Sequence, residues 1–130
     1  MTLTSARLLA ATAAAAGLLL TGACGSEPAR VATTDLVGAW HGSCDADLTL
    51  VAGGTATGRA VPIGATPTTG DHGTWRLDED IPGGPAQRVA VNLDGQHWDN
   101  LDIKGAGDSL RLVLTIGDPD DGKTCDFSRA

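Results

Sequence analysis

The chain has 130 residues, a formal net charge of −7 and 42% hydrophobic residues, yet its aromatic side chains are only three Trp and one Phe. That length allows one small domain with a modest core, built mostly from Leu, Val, Ile and Ala. The acidic balance offers no basic surface to phosphates, which excludes nucleic acid as a partner, and it keeps the domain off anionic lipid unless something else holds it there.

Arg7 and the α-amine form a short positive start, and Leu8 to Leu20 is an Ala/Leu-rich run without charge. As a helix this run spans roughly 20 Å, short of the ~30 Å hydrocarbon core, so it reads as the apolar region of a signal peptide and not as a permanent span. Leu20-Thr21-Gly22-Ala23-Cys24 follows directly. This stretch resembles the bacterial lipobox. The resemblance implies a diacylglycerol thioether on Cys24, removal of residues 1–23, and attachment to the outer face of the cytoplasmic membrane through the lipid. A single acyl chain holds marginally, whereas two or three hold stably. The alternative is an ordinary secreted protein in which Cys24 is structural. All sixteen acidic residues but only eight of the nine basic ones follow Cys24, so the mature part is near −8. Residues 24–34 are small, polar and Pro-containing, and read as a flexible linker ahead of a domain over 35–130.

From there the hydrophobic pattern has period two. Leu48 and Leu50 share one face, as do Val89, Val91 and Leu93, and as do Leu110, Leu112, Leu114 and Ile116. Such alternation marks half-buried antiparallel strands. Turn signals separate them at Gly53-Gly54, Pro82-Gly83-Gly84-Pro85, Asp94-Gly95 and Asp118-Pro119-Asp120-Asp121-Gly122. The pattern gives about eight strands, near 36–43, 46–52, 55–61, 72–78, 88–94, 97–104, 109–116 and 123–128, and no stretch that promises a helix. Short turns imply a meander, and closure of a meander into an all-β, antiparallel up-and-down barrel removes its edges. A two-layer sandwich is the alternative.

Three cysteines are an odd count. With Cys24 assigned to lipid, Cys44 and Cys125 remain as a pair, and in an oxidising exterior they are expected to form a disulfide joining the first strand's end to the last strand. A metal site is the weaker use for two cysteines so far apart without a Cys-x-x-Cys.

Leu36-Val37-Gly38-Ala39-Trp40 resembles the start of lipocalin-like barrels, whose first strand carries Gly-x-Trp. The resemblance implies that Trp40 packs at a closed end of the barrel. The mature chain is also similar to small actinobacterial lipoproteins through Val37 to Trp40, Gly73 to Trp75 and Gly117 to Asp120. That likeness implies fold and location and carries no activity. A looser likeness is to secreted barrel-type inhibitors of proteases or lysozyme, without an inhibitor loop motif.

The chain offers little that resembles catalytic chemistry. Asp118, Asp120 and Asp121 lack the spacing of an EF-hand loop, which needs a Glu at position 12 where Arg129 stands. His41, His72 and His97 fall on different elements without metal-ligand spacing. No Gly-x-Ser-x-Gly occurs, and Asp78-Glu79-Asp80 reads as a solvated run before a turn. We therefore expect no catalytic residues, no metal and no cofactor. Trp40 is in phase with Leu36 and Trp75 with Leu77, which places both in the core. Trp98 instead shares parity with Asn100 and Asp102, opposite Leu101 and Ile103. A Trp beside Asn and Asp on a polar face suits a carbohydrate or protein partner. The alternative is a β-bulge that turns the ring inward. The expected function is a non-enzymatic binding or interaction module. The alternatives are an inhibitor of a secreted hydrolase and a carrier of a small apolar ligand.

Overall fold

A computed structural model of the chain describes residues 30–64 and 66–130. The expected signal peptide, the lipidation site Cys24 and the first part of the linker lie outside the described residues. The eight strands are β1 (Gly38–Gly42), β2 (Asp47–Leu50), β3 (Thr55–Val61), β4 (Thr68–Glu79), β5 (Gln87–Asn92), β6 (Asp99–Lys104), β7 (Arg111–Thr115) and β8 (Thr124–Arg129). Each pairs antiparallel with the next, and β8 pairs with β1, so the sheet is a closed barrel and not a sandwich. The Cys44–Cys125 disulfide is present, with a Cα–Cα distance of 5.4 Å, and it pins the β1–β2 loop to β8 beside the closing seam.

The alternating residues meet inside the barrel. Trp40, Leu48, Leu50, Val89, Val91, Leu101, Leu112, Leu114 and Phe127 are all buried and pack as one cluster. These interior positions, which a ligand carrier would leave lining a cup, are packed against one another. A barrel of eight strands is just wide enough for side chains to fill.

Three differences from the sequence reading have physical causes. First, a short helix α1 (Thr33–Leu36) stands where linker and strand were expected. Asp35 accepts the Ala32 N–H at 2.8 Å, which fixes the turn, and Leu36 enters the core with no exposed surface. The described end of the linker is docked as well. The Gln87 side chain clamps both backbone groups of Val31, at 2.8 Å and 2.9 Å, and Arg30 reaches Asp80 at 2.5 Å. Second, β4 begins at Thr68 and not at residue 72. Its pairing with β3 shifts register twice between Ala56 and Val61, and Ala60 takes a left-handed φ of 53° there. Third, two single-turn 3-10 helices, Gly107–Ser109 and Pro119–Asp121, occupy loops.

The barrel has two unlike ends. α1, the β2–β3 turn, the β4–β5 loop and the β6–β7 loop share one of them. The loops β1–β2, β3–β4, β5–β6 and β7–β8 share the other, as the strand directions require. The α1 end is sealed. The Trp40 indole N–H donates to the Leu36 carbonyl at 3.0 Å. Arg129 lies over the Trp40 ring, 4.2 Å from its centroid, and donates to the carbonyls of Val37 (2.8 Å) and Asp35. Trp40 thus packs where the Gly-x-Trp resemblance implies. The Trp75 indole is satisfied toward the same end, by the Val51 carbonyl at 2.8 Å.

Candidate functional site: the barrel end that carries Trp98

The third Trp lies at the other end and behaves differently. Trp98 ends the β5–β6 loop, is 43% exposed, and its indole N–H has no hydrogen-bond partner among the described residues. The inward bulge does not form. The ring lies on the outer rim, where the Arg76 guanidinium sits 4.2 Å from its centroid. Asp78 holds that guanidinium in place by accepting from Arg76 Nε at 2.8 Å. Arg76, Ala90 and Asn100 form one row across β4, β5 and β6. Ala90 has no exposed surface, although it stands outside the core cluster. Its outer side is therefore covered within this Arg76–Trp98 patch.

The loop beneath the ring is built on Asp94. Its Oδ1 accepts the backbone N–H groups of Gln96 and His97, both at 2.8 Å, and its Oδ2 meets His97 Nδ1 at 2.9 Å. An Asp that closes a turn on its own backbone is a recurrent loop device. The His97 ring and these two N–H groups hold the Asp94 carboxyl far below the usual carboxylate range, and the Asp94 carboxylate in turn pushes the His97 pKa up. The preceding residue, Leu93, anchors the loop in the barrel. It fits only because β3 and β4 present glycine: a Cβ on Gly58 would lie 2.6 Å from Leu93 Cδ1, and one on Gly73 would lie 2.9 Å from Cδ2.

Asp99 opens β6 opposite Val91, on the inward side with Leu101. Its Oδ2 is buried without a hydrogen-bond partner among the described residues. Burial raises its pKa, and the charge of Asp94 adds to the effect. Asp94, His97, Trp98 and Asp99 face Ile63, Thr66 and Thr68 across a cavity of about 460 Å³. Small-molecule clefts fall between about 300 and 1,000 Å³ and combine apolar walls with a few polar groups. A second cavity of about 460 Å³ lies at the α1 end, between Arg30, Pro85, Gln87, Ile103 and Lys104, and has no aromatic wall.

The structure brings only part of the sequence-derived set together. Asn100 and Asp102 are on the outer face with Trp98, as the parity of β6 requires, but Asp102 pairs across with Arg88, further toward the α1 end. Neither lines the cavity, whereas Asp94, His97 and Asp99 do. The signal for Asp99 was present in its parity with Leu101 and Ile103. No comparable signal existed for Ile63 and Thr68, which reach the site through a loop and the irregular β3–β4 pairing. His41 and His72 stay apart from it: His41 pairs with Asp47 at 2.8 Å on β1 and β2, and His72 is exposed on β4. Comparison of the chain with protein families, with curated proteins and with solved structures finds no match.

Proposed function

We propose that this chain is an exported, non-enzymatic binding module, anchored by lipid on Cys24 to the outer face of the cytoplasmic membrane. It engages its partner with the barrel end that carries Trp98. The observation behind this reading is the contrast among the three Trp residues. Two are buried toward the α1 end with satisfied indoles, and the third is exposed beside a cavity at the opposite end. An exposed Trp ring, stacked on a guanidinium that a carboxylate holds, is a pre-organised contact surface with little entropy left to lose. The chain enters the barrel at the α1 end, opposite the end that carries Trp98.

Two measurements test this. Mass spectrometry of the mature protein should find Cys24 at the N-terminus bearing diacylglycerol, and a Cys24→Ala variant should leave the membrane fraction. A mature chain that carries no lipid refutes the anchor. The wild-type domain should be retained by isolated cell-envelope fragments and Trp98→Ala should not. Equal retention of the two rules out the Trp98 end as the contact.

A further inference from the structure

We propose that the cavity beside Trp98 takes a neutral sugar ring, with the ring's C–H face on the indole and a hydroxyl donated to the Asp99 carboxylate. This rests on the reading of the Trp98 end as the binding end, and it adds the chemical class of the ligand.

The Asp99 carboxylate is half-buried and its Oδ2 already lacks a donor, so a purely apolar ligand would cut the rest of the group off from water, and a carboxylate deprived of both water and partner is costly. An anion would face the carboxylates of Asp94 and Asp99 across the same cavity. A cation gains from those carboxylates, but Arg76 already lies over one face of the Trp98 ring, 4.2 Å from its centroid, and opposes a second positive charge on that ring. The carboxylate of Asp94 is moreover committed to His97 and two backbone N–H groups.

A neutral polyol meets every requirement. Each hydroxyl both donates and accepts, so a ring stacked on the Trp98 indole can donate to the Asp99 carboxylate. On the facing wall the Thr66 hydroxyl can donate or accept, and the Thr68 hydroxyl, which donates to the Ile63 carbonyl at 3.3 Å, can accept. The apolar C–H face of a pyranose suits an indole that is 43% exposed, and Ile63, only 6% exposed, supplies an apolar floor. The loop that presents these groups is fixed by Asp94 and by Leu93 beneath it, so little ordering is left for the ligand to drive.

The test is an array of neutral hexose and N-acetylhexosamine oligosaccharides, with cationic amino-sugar and anionic uronic-acid counterparts. It is probed with the mature protein in a sugar-free detergent. The proposal expects retention by one or more neutral members. Trp98→Ala and Asp99→Ala should each weaken that retention about tenfold or more, the loss expected when a stacked ring or a hydrogen bond to a carboxylate is removed. Val51→Ala, exposed at the α1 end, should bind as wild type does. Absence of binding by every neutral member overturns the proposal. So does stronger retention by the cationic counterparts, or neutral binding that survives Trp98→Ala. If envelope fragments retain the protein through Trp98 while no neutral saccharide does, the binding end stands and the sugar assignment falls.

Discussion

The disulfide should carry a large share of this domain's stability, and the structure sets the size of the effect. Cys44 and Cys125 are 81 residues apart, so the bridge closes nearly the whole barrel into one loop. In the chain-entropy treatment a loop of that length lowers the entropy of the unfolded chain enough to stabilise the fold by about 4.5 kcal/mol at 25 °C. Domains of this size are held by only about 5–15 kcal/mol in total. Reduction of the wild-type domain should therefore lower its melting temperature by roughly 20 °C or more. A Cys44→Ala/Cys125→Ala variant should fall slightly further, because Cys125 is fully buried and its sulfur packs in the core. Urea denaturation with and without reductant measures the cross-link, and the double variant measures the lost sulfur separately. If oxidised and reduced wild type unfold within about 1 kcal/mol of each other, the β1–β8 seam is held by other contacts and the loop-closure reasoning is wrong.

Four further predictions follow from neighbouring contacts. Gly42→Ala would place a Cβ 2.6 Å from the Cys125 sulfur and 3.0 Å from the Phe127 ring, and should cost about 1–3 kcal/mol by urea denaturation. Trp40→Ala should cost about 3–5 kcal/mol, since it empties a fully buried site and leaves Arg129 without its ring. Arg129→Ala is milder: hydrogen exchange should accelerate at the amides of α1, and unchanged protection there would show that α1 does not depend on that side chain. The Asp94–His97 pair sets a pH window. Because the folded His97 pKa lies above its ordinary 6.5, its stabilising effect is complete below that value and fades as pH rises through the folded pKa. Because the Asp94 pKa lies below its ordinary 3.8, its contribution is complete above that value and fades as pH falls toward the folded pKa. Protection of the Gln96 and His97 amides should thus peak between about pH 4 and 6.5, and a His97 ring that titrates at or below 6.5 by NMR would contradict the pairing.

The barrel was legible because its inner face alternates cleanly. Leu110, Leu112 and Leu114, or Val89, Val91 and Leu93, can be buried together only by a pleated strand. The disulfide was legible from an odd cysteine count once Cys24 was assigned to lipid in the reading of the sequence. The two ends were much less visible. α1 is a four-residue turn held by Asp35 and by the burial of Leu36, and a single helical turn has no periodicity to read. The docking of Val31 depends on Gln87, 56 residues away and polar, so nothing local announces it. The β3–β4 irregularity needs Gly58, Gly70 and Gly73 to make room for Leu93, a contact between segments that no single strand records. The candidate site was half seen for the same reason. Parity placed Trp98 outside, but the rest of the cavity wall comes from a loop and a shifted strand.

The pairing of β1 with β8 has a consequence for how the chain acquires its shape. Trp40 aligns with Arg129, and Gly42 with Phe127, so the two margins of the sheet are nearly the whole domain apart in sequence. Until Phe127 and Arg129 are available, a growing chain has seven strands with two raw margins, a greasy interior open along one side, and an unlatched α1 end. Such an intermediate invites intermolecular zipping. The barrel can close only once its final strand is available, and until then both margins stay open to pairing with another chain.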